Sequence, residues 1–308
     1  MRLHPDVVTL DLEMPRMDGL TFLAKLMRHY PIPVIIVSSL TPEGSDTALR
    51  AMALGAVDIV SKPGSAYTVG EVSKVLIEKI RVAATARVFQ TNKVKPSRSS
   101  SPAKEYMLHK TTHRILAIGA STGGTRAIED VLVDLPPNTP GTVIVQHMPE
   151  HFTASFARRL NELSSMEVRE ACNRDIVAPG VALVAPGNQH MVLRRNGARY
   201  IVEVKGGPQV HHQRPSVDFL FHSVAGQAGP NAVGVILTGM GDDGAQGLLA
   251  MRQAGAHTLA QDEASCVVFG MPKEAIENGA AEQVVPLKNV SRKVIEIFTN
   301  AAVTVASG

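Results

Sequence analysis

The feature that most constrains the fold of this 308-residue chain is a repeated alternation of short apolar runs with amphipathic segments. Each apolar run has the length of a buried strand, and the amphipathic segments carry apolar residues at helical spacing. Strands that alternate with helices predict parallel sheets covered by helices. Ligands of such sheets lie outside the carboxyl ends of the strands, so the residues that follow the apolar runs are the candidates for function.

The alternation is interrupted once, between residues 89 and 112. This segment includes a polar, basic and proline-broken stretch, a composition typical of a flexible linker. We therefore predict one domain over residues 1–88, a flexible linker over 89–112 and a second domain over 113–308. Both domains are expected to be doubly wound α/β folds. The second has an antiparallel hairpin added at Asn196-Gly197.

Composition argues against several functional classes. No apolar run approaches the roughly 20 residues of a membrane span, and the start lacks the apolar core of a signal peptide, so a cytoplasmic location is expected. A net charge of +3 and the absence of tryptophan argue against a nucleic-acid partner. The two cysteines, Cys172 and Cys266, are too few for a disulfide framework or a thiolate zinc site, and we expect buried free thiols.

Polar residues follow three successive apolar runs in the first domain, namely Asp11, Ser38 and Lys62. The carboxyl ends of parallel strands meet at one edge of a sheet, so these side chains are expected to lie close together. A carboxylate can accept a phosphoryl group, and an ammonium group can neutralise the added charge. The three residues therefore indicate a site of phosphorylation.

Residues 7–63 resemble the second part of a response-regulator receiver domain, which has a flavodoxin-like fold. The resemblance implies that Asp11 is the phosphoacceptor, that Ser38 senses the phosphoryl group and that Lys62 contacts it. In that family a first strand with an acidic pair that holds Mg²⁺ precedes the phosphoacceptor by some tens of residues, whereas ten residues precede Asp11 here. We therefore expect a partial receiver or a start later than the natural one, with Asp11 phosphorylated poorly for want of Mg²⁺ ligands.

Three apolar runs of the second domain also end in polar residues. Ser121 lies where one run breaks into a turn of small residues before an amphipathic segment, and His147 ends another run. Asp242 and Asp243 lie in a glycine-rich turn after a third run. A serine nucleophile, a histidine base and a carboxylate that orients the histidine form a catalytic triad. The chain order of serine, histidine and aspartate differs from the familiar serine-hydrolase orders and indicates convergent chemistry.

The residues alone leave alternatives open. Ser121 is also a candidate helix N-cap. Asp242 and Asp243 are equally good candidates for the carboxylate that orients the histidine. What favours His147 over other histidines is its position at a strand end; its rivals are His151, His190, His211, His212 and His222. A nucleotide-binding protein is a second reading, although the turn lacks the usual phosphate-loop spacings. A non-enzymatic response-regulator adaptor is a third.

Several motifs occur in a fixed order along the second domain. They are Gly119-Ala-Ser-Thr-Gly-Gly124, Gln146-His-Met148, Arg214-Pro-Ser-Val-Asp218, Leu237-Thr-Gly-Met-Gly-Asp-Asp-Gly244 and Glu263-Ala-Ser-Cys-Val-Val-Phe-Gly-Met-Pro272. With these motifs, residues 114–297 resemble the catalytic domain of the chemotaxis protein-glutamate methylesterases, the CheB family, a Rossmann-like fold. The resemblance implies a triad of Ser121, His147 and Asp243, and it favours Asp243 over Asp242.

The family's reaction is the hydrolysis of glutamate methyl esters on the cytoplasmic helices of chemoreceptors, and some members also deamidate receptor glutamines. The resemblance implies no metal or other cofactor for hydrolysis, Mg²⁺ only for receiver phosphorylation, and a chemotaxis histidine kinase as phosphodonor. Backbone amides in the turns at Thr122 and Met240 are candidates for holding the oxyanion. The receiver is expected to cover the active site and to move aside on phosphorylation.

Overall fold

The computed structural model of the chain describes residues 4–14, 17–39, 41–63, 69–88 and 113–306. The predicted linker lies outside the described residues. In the first region, residues 4–88, described strands and helices alternate in the order β1 (Val8–Asp11), α1 (Gly19–His29), β2 (Val34–Ser38), α2 (Pro42–Ala53), β3 (Asp58–Ser61) and α3 (Val69–Ala83). The strands form a parallel sheet in the order β1-β2-β3.

The second region, residues 113–306, is built around a larger sheet. Its elements are β4 (Ile115–Ala120), α4 (Gly124–Val133), β5 (Gly141–Gln146), α5 (Phe152–Leu163), β6 (Glu167–Glu170), β7 (Ile176–Val177), β8 (Val181–Val184), β9 (His190–Asn196), β10 (Arg199–Lys205), α6 (Val217–Ala228), β11 (Ala232–Ile236), α7 (Ala245–Gln253), β12 (His257–Gln261), α8 (Met271–Glu277), β13 (Gln283–Val285) and α9 (Leu287–Ala306). Seven of these strands pair in parallel in the order β13-β12-β11-β4-β5-β8-β6. A separate sheet, β7-β10-β9, contains the antiparallel hairpin predicted at Asn196 and Gly197.

Helices cover both faces of the seven-stranded sheet. Side chains of α4, α5 and α9 pack on one face, and side chains of α6, α7 and α8 pack on the other. Strands that are covered on both faces have no solvent side, so every residue of β4, β5 and β11 is buried and most of their side chains are apolar. The predicted doubly wound α/β fold is confirmed.

The three strands that precede the predicted triad residues are neighbours at the centre of this sheet. Ile236 of β11 pairs with Gly119 of β4, and Ala120 of β4 pairs with Gln146 of β5. Because this register aligns the carboxyl ends of the strands, the turns that follow them emerge together at one edge. The fold therefore brings segments distant in sequence to a common crevice.

Two predictions from composition can be compared with the structure. Both cysteines are free thiols, but only Cys266 is buried; Cys172 lies exposed in the loop after β6, so its predicted burial is wrong. Burial raises the pKa of the Cys266 thiol to about 12, which makes it a poor nucleophile. Among the helices that the structure describes, none combines the length and the apolar character needed to cross a bilayer.

Candidate active site

Ser121 lies directly after β4, in the tight turn that leads into α4. Its amide donates to the carbonyl of Thr238 at 3.0 Å, which ties this turn to the turn after β11. Gly123 has a φ of 79°, a left-handed conformation that glycine adopts without strain. A Cβ atom on Gly124 would lie 2.2 Å from Oε1 of Gln146. Gly123 is therefore required by its backbone conformation, and Gly124 by close packing.

His147 follows β5 and lies beside the carboxylate of Asp243. Its Nε2 is 2.7 Å from Oδ2 of Asp243, and both side chains are buried. An ionised carboxylate only accepts hydrogen bonds, so Nε2 carries the proton and Nδ1 has the free lone pair. Nδ1 is buried and has no hydrogen-bond partner among the residues that the structure describes. His147 and Ser121 line the same small cavity.

The Asp243 carboxylate is held by the first turn of α6. It accepts hydrogen bonds from Oγ of Ser216 at 2.8 Å and from the amides of Val217 and Asp218 at 2.8 and 2.9 Å. Burial alone would raise the pKa of Asp243, but the hydrogen bonds from His147 and from the two amides outweigh it and leave the pKa below its usual range. The carboxylate is therefore kept ionised beside the imidazole.

The alternatives that the sequence left open lie in other surroundings. The Asp242 side chain is 58% exposed and contacts Nδ1 of His211 at 2.9 Å. His190 is buried, but its Nε2 is 2.8 Å from the carbonyl of Pro208. The other rival histidines are exposed; they are His151, His211, His212 and His222.

Gln146 has a role that the sequence did not reveal. Its Nε2 donates to the carbonyl of Ser121 at 2.8 Å and to the carbonyl of His147 at 3.1 Å. One side chain thus fixes the backbone of both residues. The available signal was its position, because Gln146 is the last residue of β5 and directly precedes the histidine.

The oxyanion candidates Thr122 and Met240 lie in two turns that touch each other. A Cβ atom on Gly239 would come within 2.8 Å of Cβ of Ser121, so the turn that carries Met240 passes directly beside Ser121. The Met240 side chain is 41% exposed. The role of these amides stays a prediction.

In the first region the structure brings Asp11 and Lys62 together, but not Ser38. Nζ of Lys62 is 2.9 Å from Oδ2 of Asp11 and 3.1 Å from Oε2 of Glu13. The hydrogen bond with Asp11 raises the pKa of Lys62. The buried Ser38 hydroxyl donates instead to the carbonyl of Gly44 at 3.0 Å. Ser38 therefore lies at the expected strand end with its hydroxyl turned to α2.

The carboxylates of Asp11 and Glu13 are the acidic groups described beside Lys62, and the same ammonium group engages both. Mg²⁺ requires near-octahedral coordination by oxygen. Two carboxylates bridged by an ammonium group do not by themselves form such a site, so the described residues do not fit the ion.

The first region covers the crevice at Ser121. The amide of Gly123 donates to the carbonyl of Val57 at 3.3 Å, so the turn after Ser121 is bound by a backbone oxygen of the first region. The cavity shared by Ser121 and His147 has a volume of about 10 Å³ and is lined on its other side by Met52, Val57, Asp58 and Ile59. That space holds one water molecule at most, so a substrate side chain is excluded while the regions stay in contact.

A buried polar contact reinforces this cover. Oγ1 of Thr122 donates to Oδ2 of Asp58 at 2.5 Å, and Oδ1 of Asp58 pairs with Nζ of Lys79, also at 2.5 Å. The Asp58 side chain is 13% exposed. A second contact, between Asp46 of α2 and Arg158 of α5, is an ion pair in which both side chains are about half exposed. Exposed pairs of this kind contribute little, so the Asp58 contact is the stronger of the two.

Comparison with known proteins agrees with this architecture. The family model described as CheB methylesterase matches residues 116–294, and the model described as response regulator receiver domain matches residues 1–71. The chain is 57% identical over 297 residues to protein-glutamate methylesterase/protein-glutamine glutaminase 2 of Syntrophus aciditrophicus (strain SB), covering 96% of this chain and 87% of that protein. It is 54% identical over 296 residues to protein-glutamate methylesterase/protein-glutamine glutaminase of Salmonella typhi, covering 96% of this chain and 84% of that protein.

A solved structure matches the second region. The crystal structure of the Thermotoga maritima CheB methylesterase catalytic domain has a TM-score of 0.59 and 38% sequence identity, and the match covers 61% of this chain and 100% of that one. The motifs, the sheet order and these similarities agree. The chain belongs to the CheB methylesterase family and joins a response regulator receiver domain to a methylesterase domain.

Proposed function

We propose that this chain hydrolyses glutamate methyl esters on chemoreceptors to glutamate and methanol, and that it deamidates receptor glutamines at the same site. The names of its relatives pair these two activities. The observation that carries the proposal is the hydrogen bonding of the two ring nitrogens of His147. Its Nε2 is bound to Asp243, while its buried Nδ1 lacks a partner within the described part of the chain and the ring lines the cavity of Ser121.

The reaction follows from this arrangement. Nδ1 of His147 takes the proton from Oγ of Ser121 as the oxygen bonds to the ester carbonyl carbon, and Asp243 stabilises the imidazolium that forms. The tetrahedral intermediate then loses methoxide, which receives the proton and leaves as methanol. Water attacks the acyl-enzyme in the same way and releases glutamate. Amides near Thr122 and Met240 are the proposed donors to the oxyanion. The imidazole is reversed relative to the chymotrypsin triad, where Nδ1 faces the carboxylate.

The proposed division is a receiver over residues 1–88, a linker over 89–112 and a catalytic domain over 113–308. Asp11 is the proposed phosphoacceptor for a chemotaxis histidine kinase, with Lys62 and Ser38 as the residues that respond. The contacts of Val57 and Asp58 with the turn after Ser121 support control by release of this cover. We propose that the reaction takes place in the cytoplasm, where the receptor helices that carry the esters lie.

The proposal is tested by the release of methanol from a receptor fragment carrying radiolabelled methyl esters. The full chain is expected to release labelled methanol in proportion to its concentration, and glutamate should appear at the same positions. Methanol release no faster than without protein would contradict the proposal and favour a non-enzymatic adaptor. A nucleotide-binding role is tested separately by protection of the protein against thermal unfolding by ATP or GTP.

Replacing Asp58 with alanine is expected to raise the basal rate of methanol release about 10- to 150-fold. The variant removes the acceptor of the Thr122 hydroxyl, a buried hydrogen bond to a charged group worth about 1.5–3 kcal/mol. The open form gains population by the corresponding factor. The measurement is the initial rate of methanol release without phosphodonor.

Asp46→Ala is the matched control, because it removes the exposed ion pair with Arg158 on the same interface. That pair is worth about 0–1 kcal/mol, so the rate should rise less than about fivefold. Equal rates in wild type and Asp58→Ala would show that this contact does not hold the cover in place.

A further inference from the structure

Asp218 lies in the first turn of α6, and its buried carboxylate is directed to the first turn of α7. Oδ1 of Asp218 accepts a hydrogen bond from the amide of Gly247 at 2.6 Å. The N-cap residue of α7, Gly244, has no side chain to supply this cap. Asp218 therefore takes the place of the missing cap.

The turn that immediately precedes α7 carries Asp243, and Asp243 in turn accepts hydrogen bonds from the first amides of α6. Each of the two helices is thus capped by a carboxylate that belongs to the beginning of the other. Helix N-termini stabilise negative charge, so this exchange places each carboxylate against amides that favour its ionised form. It also fixes the distance between the two helix starts.

His211 engages the second oxygen of Asp218. Its Nε2 is 3.1 Å from Oδ2 of Asp218. The residue has a φ of 49°, a left-handed conformation that is uncommon for residues other than glycine, although histidine adopts it more often than most. The contact holds the segment before α6 against Asp218 and leaves both carboxylate oxygens with a partner.

We propose that Asp218 is a positioning residue for the triad: by capping α7 from the start of α6, it fixes the turn that holds Asp243 against His147. The inference rests on the proposed esterase function and adds a residue to it. The two carboxylates also interact electrostatically, since burial raises the pKa of Asp218 and the charge of Asp243 raises it further. The hydrogen bond from the amide of Gly247 opposes both effects by favouring the ionised carboxylate. In its ionised form, Asp218 adds to the field that stabilises protonated His147.

The test is the pH profile of kcat/KM for methanol release by the full chain carrying Asp218→Asn. Asparagine retains an oxygen for the amide of Gly247 but lacks the charge. We expect kcat to fall about 10-fold with KM within about threefold, because positioning errors act on the transition state. We also expect the acidic limb of the profile to move about 0.5 pH unit lower, since protonated His147 loses a stabilising charge.

Among the residues that the structure describes, the charged groups that face His147 are Asp243 from the turn before α7 and Asp58 from the first region, and Asp218 and His211 lie close to Asp243. Asp218→Ala removes both charge and cap, and kcat should fall about 100-fold. Asp134→Asn, the same charge change on an exposed residue after α4, is the control and should leave the profile unchanged.

A profile of Asp218→Asn that matches wild type in both kcat and acidic limb would overturn the inference. A lower kcat with an unmoved limb and a lowered melting temperature would also overturn it, because that result indicates a purely structural role. Failure of the proposed function is distinguishable, since wild-type protein itself would then release no methanol.

Discussion

Ser121→Ala is expected to lower kcat for methanol release by about 10⁴-fold or more, because alanine has no oxygen to form the acyl-enzyme. The fold should be unaffected. The backbone of residue 121 keeps its hydrogen bonds to the carbonyl of Thr238 and from Nε2 of Gln146, neither of which involves the hydroxyl. The measurement is the single-turnover rate on methylated receptor fragment, together with the melting temperature of both proteins.

A serine-directed fluorophosphonate gives an independent readout. It should label wild type at Ser121, fail to label Ser121→Ala and label His147→Ala only weakly, since the hydroxyl then lacks its base. Ser164→Ala is the control and should be labelled like wild type. The Ser164 hydroxyl lies at the far end of α5, where it donates to the Leu132 carbonyl. Methanol release that persists at the wild-type rate in Ser121→Ala would refute the triad.

Asp243→Asn is expected to lower kcat by about 10³- to 10⁴-fold. The Asp243 carboxylate accepts hydrogen bonds at both oxygens, from His147 and Val217 at Oδ2 and from Ser216 and Asp218 at Oδ1. In asparagine an NH₂ group replaces one of these two oxygens. At either position the NH₂ group, itself a donor, faces the donors that the oxygen accepted from. On the His147 side it forces the opposite imidazole tautomer, in which Nδ1 carries a proton and is no longer a base.

The same variant is expected to lose about 1–3 kcal/mol of stability, because at least one buried backbone amide is left without an acceptor. Thermal unfolding and single-turnover kinetics measure the two effects separately. Asp242→Asn is the matched control: it changes the neighbouring, exposed carboxylate, and its kcat should fall less than about tenfold. A larger effect of Asp242→Asn than of Asp243→Asn would reverse the assignment.

Much of the site was predictable because it depends on topology. Apolar runs that end in Ser121 and His147 identify buried parallel strands, and neighbouring strands deliver such residues to one edge. The choice between Asp242 and Asp243 was not predictable from the residues alone. It depends on which side chain meets the first amides of α6, and the family resemblance favoured Asp243 before the structure showed the contact.

Contacts between loops that are distant in sequence could not be predicted either. The Ser216 hydroxyl and the Asp218 carboxylate lie in a recognised motif, but their partners in the turn before α7 follow only from the tertiary fold. The same holds for Asp58. In the sequence it is an ordinary strand residue, and only the tertiary structure shows that its carboxylate accepts a hydrogen bond from Thr122. Cys172 was predicted to be buried and is exposed, because composition does not indicate which loops are exposed to solvent.

The exchange of carboxylates between α6 and α7 has a consequence for how this part of the molecule opens. If either helix start unravels, the other loses the carboxylate that binds the amides of its first turn, and a buried charge is left uncompensated, so local fraying of one helix alone is costly. The two helices should therefore open as a single cooperative unit rather than one turn at a time. Asp243, the proposed acid of the triad, then lies in a segment that is either fully formed or fully lost, with little population in between.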